Sequence, residues 1–207
     1  MPAEYFTNFP LFGYTLNPSV APGEVEYATD LFHRAAPIRN ILKNKELFHE
    51  YVIRDGETPE MLADTYYGSS HYHWVITLLN NILDPLLDWP KKYGDLIAFI
   101  NEKYGSVAVA QATIHHYTMT ITKVDSAGYT SSETTIIDLD KYNSLVSLVP
   151  VVYTFAGGRT VTVTTTRSSV DSYTYEVDNN ESKRVIQLLK SDYVPQVVSE
   201  LERIMAI

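Results

Sequence analysis

The sequence predicts an α+β protein: an extended N-terminal arm, a small βααβ module, an antiparallel β-hairpin subdomain and C-terminal helices. Three observations carry this. A short strand, a glycine turn and a capped helix follow one another between Tyr51 and Gly68; the apolar period changes to two from Ile114; and helical spacing closes the chain. The segments expected are 1–48 for the arm and a short helix, 49–105 for the module and its following helix, 106–177 for the β subdomain, and 178–207 for the helical tail.

The arm is aromatic and punctuated by proline. Tyr5, Phe6, Phe9, Phe12 and Tyr14 fall among Pro2, Pro10, Pro18 and Pro22 with neither helical nor strand period. Such a segment has no face on which to hide its own rings, so they are expected against the rest of the chain or against a partner. Residues 28–45 read as a short strand or turn followed by a helix.

In the module, Tyr51 and Ile53 alternate as in a strand, and Asp55-Gly56 marks a turn that needs positive φ. Thr58 is an N-cap, Pro59 occupies the first helical position, and Gly68 ends the helix. A second short helix carries Trp74, Val75, Ile76 and Leu79, after which Asn81-Ile82 is expected to begin the returning strand. The module core is assigned to Tyr51, Ile53, Gly56, Leu62, Ala63, Gly68, Trp74 and Ile76. Residues 84–90 read as an extended exit bounded by prolines, with Asp88, Trp89 and Pro90 offered as docking residues alongside the arm aromatics. A helix over 91–104, striped by Leu96, Ile97 and Ile100, stops at Gly105.

The β subdomain opens with a strand at Ile114, turns at Ala127-Gly128, and contains a hairpin around Gly157-Gly158, a pair suited to a two-residue turn with positive φ at both positions. Residues 173–177 alternate and suggest a further strand. Asp178 and Glu181 read as a capping box before a helix bearing Val185, Ile186, Leu188 and Leu189; a last helix starts at Pro195.

Composition narrows the function. A net charge of −9 without a basic stripe argues against nucleic-acid binding. The absence of cysteine removes disulfides, thiolate metal sites and thiol catalysis. No apolar run reaches membrane-spanning length, and Met1–Pro10 lacks the basic and apolar regions of a signal peptide, so assembly in a reducing cytosol is expected. His71 and His73 fall on different helix faces, and His115 and His116 would point to opposite sides of a strand, so neither pair predicts a metal site. Glu57 and Glu60 suit a helix N-terminus, and Asp138 and Asp140 a turn. No nucleophile elbow, P-loop or dinucleotide fingerprint occurs, so no catalytic residue and no cofactor are assigned.

The run Tyr51-x-Ile53-x-Asp55-Gly56-Glu57-Thr58-Pro59-Glu60-x-Leu62-Ala63, with Tyr67-Gly68, His73-Trp74-Val75-Ile76, Asn80-Asn81-Ile82, Asp84-Pro85 and Asp88-Trp89-Pro90, resembles the LysM-containing baseplate wedge proteins of T-even-like, contractile-tailed bacteriophages. The aromatic arm, Lys103-Tyr104-Gly105 ahead of Ile114-His115-His116-Tyr117, and Asn180-Glu181-x-Lys183-Arg184-x-Ile186 are similar too. The resemblance implies a virion structural protein, present in several copies in the tail baseplate, assembled in the host cytoplasm without enzyme activity. Its partners would be wedge-core subunits, neighbouring wedges and the central hub, and its LysM-like fold would serve as a docking module. A second reading is a LysM-type peptidoglycan-binding module, using Gly56, Glu57 and Thr58 in one loop and residues 79–84 in the other. Against it, Pro85 and Trp89-Pro90 stand where a short polar return is usual.

Overall fold

A computed structural model describes residues 9–14, 25–30, 45–145 and 148–205. Along the chain the elements are β1 (Leu11–Tyr14), β2 (Glu26–Thr29), β3 (Phe48–Val52), α1 (Pro59–Tyr67), α2 (His73–Leu79), α3 (Pro85–Asp88), α4 (Tyr93–Tyr104) and α5 (Val107–Ala112). There follow β4 (Ile114–Asp125), β5 (Thr130–Ile137), α6 (Leu139–Ser144), β6 (Val151–Thr154), β7 (Thr160–Asp171), α7 (Ser172–Ser182), β8 (Val185–Leu189) and α8 (Val194–Met205). The result is the α+β class expected, with antiparallel sheets and helices toward the C-terminus. The chain divides into two units, residues 1–93 with 182–207, and residues 94–181. This differs from four consecutive segments: α4 groups with the β subdomain, and the last 26 residues return to the first unit.

In the first unit, β3 pairs antiparallel with β8, from Phe48↔Leu189 to Val52↔Val185. The return strand therefore comes from far along the chain and does not begin at Asn81-Ile82, where Asn81 takes a left-handed φ of 55° and the backbone turns. Residues 185–189, expected as helix, form this strand, and its Ile186, Leu188 and Leu189 are buried. The caps of α1 follow the sequence: Thr58 Oγ1 accepts from Met61 N, Pro59 opens the helix, and Gly68 closes it at φ 76°. One cluster joins Ile53, Leu62, Ala63 and Ile76 to Ile186, Leu188 and Trp89. Another joins Phe9, Trp74, Val75 and Leu79 to Leu189 and to the α8 residues Val197, Leu201 and Met205.

The N-terminal segment is not without regular structure. β1 and β2 pair antiparallel, Tyr14 donates to Glu26 Oε2 at 2.9 Å, and a side chain at Gly13 would collide with Val25 at 2.6 Å. The helix expected between 31 and 44 lies outside the described residues, as do Tyr5 and Phe6.

The second unit is a four-stranded antiparallel sheet, order β5-β4-β7-β6, with α4, α5 and α7 gathered around Leu96, Ile100 and Ala110. Both hairpin glycines have positive φ, 88° at Gly157 and 78° at Gly158, as the turn requires. Residues 173–177, expected as a strand, are helical: Asp171 supplies the cap by accepting from the amide and hydroxyl of Thr174, Tyr173 and Val177 fall one turn apart against the helical cluster, and Asp178 and Glu181, read as a capping box for a later helix, lie inside this one. The bond from the Thr174 amide first, and then that from its hydroxyl, hold the Asp171 carboxyl below the usual aspartate range. The buried Glu176 carboxylate accepts from Lys103 Nζ at 2.6 Å and Tyr104 OH at 2.9 Å, which ties α4 to α7.

Candidate interaction surface

The segment leaving α2 is built by side chains that bond backbone. Asn80 behaves as a surrogate peptide group: its Nδ2 donates to Gln187 O at 2.9 Å while its Oδ1 accepts from Gln187 N at 2.8 Å. This satisfies one amide and one carbonyl of β8 and sets the position of the loop that follows. Past Ile82, Asp84 Oδ1 caps α3 by accepting from Leu86 N at 2.9 Å. Asp88 Oδ2 accepts from the amides of Leu83 and Asp84 at 3.1 and 3.0 Å. Residues 85–88 are thus a helical turn, where an extended exit was expected, because an aspartate at each end supplies acceptors for amides that have none within so short a helix.

Trp89 corrects the expectation of an exposed docking residue. It is only 7% exposed, packs with Ile53, Leu62 and Ile76, and donates from Nε1 to Glu57 O at 2.7 Å. Pro90 is buried beside it, and Asp88 is exposed but engaged with its own loop. The burial follows from β8, whose side chains complete a wall invisible in the local sequence. Phe9 is likewise buried in the chain's own core. Phe12 is 43% exposed, and Tyr14 is half-buried with its ring 6.0 Å from that of Phe12.

Of the residues assigned to the module core, Ile53, Leu62, Ala63, Trp74 and Ile76 are buried. Gly56 and Gly68 are exposed turn residues with φ near 77° and 76°, so their part is conformational. Tyr51 is half-buried and donates to both Glu57 oxygens at 2.9 and 3.0 Å; burial first, and then this bond, push its phenol up. Tyr67 OH donates to Leu189 O at 3.1 Å, and burial raises its phenol well above the ordinary value. Glu57 is therefore a turn brace, also accepting from Arg54 N.

Asp55, read from the sequence as a turn residue, does more: its Oδ1 accepts from Tyr93 N and from Arg184 Nη2, both at 3.1 Å. One carboxylate oxygen so gathers the two points at which the chain leaves and re-enters the first unit. The histidines behave differently from expectation at one place. A register shift between Ile114 and His116 cancels the strand alternation, and the Nδ1 atoms of His115 and His116 meet at 2.9 Å with Tyr175 stacked on His115. Among the described residues, no three His, Cys, Asp or Glu side chains converge as a metal site would require. Asp138 caps α6 through Lys141 N at 2.7 Å.

The outer surface of the exit is apolar. Leu83, Leu86 and Leu87 are 72%, 80% and 62% exposed on a loop whose inner side is anchored by Trp89. Exposed apolar side chains grouped in this way mark contact surfaces in many proteins. The family model described as base plate wedge protein 53 matches residues 12–127, more than half of the chain. The chain belongs to the base plate wedge protein 53 family. As a member of that family it is a structural protein of the bacteriophage virion, located in the tail baseplate and assembled there with other baseplate subunits. No curated protein matches the sequence. No helix of the described residues is long and apolar enough to cross a membrane.

Proposed function

We propose that this wedge protein joins baseplate wedges of a contractile tail to one another and to the central hub by protein–protein contacts, in several symmetry-related copies. The observation that carries the reading is the family match, which begins in the N-terminal strand pair and runs through the β3-α1-α2 segment and its exit. In this reading β3, α1, α2 and β8 form a LysM-like module whose second strand is supplied from beyond residues 94–181, and the module serves as a protein dock. Phe12 and Tyr14 join the docking surface.

The LysM-type glycan-binding alternative finds less support. In its first loop Gly56 and Thr58 are exposed, but Glu57 O is already taken by Trp89 and the Glu57 carboxylate by Tyr51.

The test is assembly. Wedge subunits of the same phage, co-expressed with and without this chain, should close into baseplate-like rings only when it is present, and electron microscopy should place it between wedges and beside the hub. Rings of normal geometry formed without it would overturn the reading. Saturable retention by purified peptidoglycan would favour the glycan alternative.

A further inference from the structure

The backbone of the second unit points to a specific contact: we infer that the outer edge of β5 takes an extended strand of a different baseplate subunit, with a basic side chain set opposite Glu133. This rests on the structural role proposed above and names a contact that would perform it.

The β4–β5 hairpin fixes which way the β5 backbone faces. Asp125 N donates to Tyr129 O at 2.9 Å, so these residues are a hydrogen-bonded pair. Alternation from there turns the amides and carbonyls of Ser131, Glu133, Thr135 and Ile137 onto β4, and those of Thr130, Ser132, Thr134 and Ile136 away from it. β5 is the last strand on its side of the sheet, and among the described residues no hydrogen bond reaches that outward row.

Every open sheet has edges, and natural ones are blunted by shortness, proline, basic side chains or bulges. Other edges of this protein follow that rule. β6, on the far side of the same sheet, spans 4 residues directly after Pro150. On β8, the Gln187 amide and carbonyl are both taken by Asn80. β5 has none of these devices. It is 8 residues long, runs in unbroken register with β4 from Thr130 to Ile137, and contains no proline, lysine or arginine. Its Thr134 and Ser132 hydroxyls are tied inward to Thr120 and Thr122, so they do not fold over the edge.

An alternating row of amides and carbonyls is satisfied by another extended main chain, which identifies the occupant as a strand. Side chains narrow it further. Glu133 stands across from Ile121 and makes no ion pair among the described residues. On an added antiparallel strand, the residue opposite Glu133 falls in a non-hydrogen-bonded pair, where side chains approach most closely. An opposite charge is favoured there and a like charge is not. The twofold registers that pair β5 most fully with a second copy set Glu133 directly opposite its own equivalent or diagonally beside it, on chains that each carry a net charge of −9. A copy therefore brings repulsion to this position, and the complement is a strand of another chain bearing lysine or arginine.

The probe is the purified wedge assembly from the same phage lacking this chain, titrated with the full-length parent, Ser132→Pro and Glu133→Lys. Ser132 turns its amide outward, so proline there removes no backbone bond to β4, and the variant should melt close to the parent. Ser132→Pro should weaken binding about tenfold or more, and Glu133→Lys should weaken it by a similar factor through reversed charge. In the bound parent, hydrogen exchange should slow at the amides of Thr130, Ser132, Thr134 and Ile136 and change little at the β4-facing amides between them. A folded Ser132→Pro that binds like the parent overturns the added strand while leaving the wedge role standing, as does unchanged exchange along the outward row. Glu133→Lys binding as well as the parent or better overturns the basic complement. Self-association of the parent that Ser132→Pro abolishes gives the edge to a second copy and overturns the assignment to a different subunit. A parent that does not bind the assembly overturns both the strand and the wedge role. Should Ser132→Pro fail to fold, the exchange pattern of the unaltered chain decides.

Discussion

In the β3–β8 pair, Ile186, Leu188 and Leu189 are buried among side chains of α1, α2 and α8. In the four-stranded sheet of β4–β7, no residue is buried, although three of its strands are longer and the pairing is more extensive. The difference teaches that a ladder of backbone bonds and a hydrophobic core are separate sources of order. The short pair is one wall of a core. The larger sheet is held along its ladder, with hydroxyl pairs such as Thr120–Thr134 at 2.9 Å and Thr122–Ser132 on its surface, and the buried apolar cluster of its unit lies among helices.

The comparison would break most visibly at Trp89. Trp89→Ala should cost roughly 3–5 kcal/mol through the lost ring and the cavity left behind, read by thermal and denaturant melts. A variant melting with the parent would show that this burial does not support the module. Leu188→Ala should cost about 2–5 kcal/mol for the same reason, whereas the comparable truncation Ile121→Ala in the open sheet should stay within roughly 1 kcal/mol, because little cavity is created. A large loss at Ile121 would mean that the sheet has a core after all.

The helical cluster of the second unit supplies a pH test. The hydrogen bond to Glu176 raises the Lys103 ammonium above the ordinary lysine value, against the opposing effect of its burial. A raised base contributes stability that is complete below its unfolded value, about 10.4, and is lost as pH rises through the higher folded value. The parent should therefore lose more stability than Lys103→Met as pH rises beyond that point, and equal slopes would remove the pair from the account. The smallest effect is expected at Asp55. Asp55→Ala should cost about 1 kcal/mol, the worth of its exposed hydrogen bonds, and speed amide exchange at Tyr93.

Capping and turn chemistry were legible because they act over a few residues. Thr58, Pro59 and Gly68 bound α1 as read, Gly105 follows the end of α4, and Gly157-Gly158 turns a hairpin. What failed was long-range. The spacing of Val185, Ile186, Leu188 and Leu189 fits a helix face as well as a strand, and only β3, more than a hundred residues earlier, decides between them. Trp89 has no local face to join, so its burial could not be seen without β8. At 173–177 an alternating pattern yielded to the Asp171 cap and to packing of Tyr173 and Val177. In the exit from the module the inward and outward residues are the reverse of the expectation: the tryptophan is buried as an anchor, and Leu83, Leu86 and Leu87 face water.

The pairing of Phe48 with Leu189 also sets an order of events in synthesis. At about 5–20 residues per second, roughly 7–28 s separate the two residues on the ribosome. For that interval β3 has no β8 to pair with, and Ile53 and Leu62 lack the Ile186 and Leu188 that complete their cluster. Residues 94–181 are complete first and can fold while the flanks wait. The last translated segment brings β8 and α8 together, so a message truncated shortly before codon 185 yields a folded middle behind a module that lacks both.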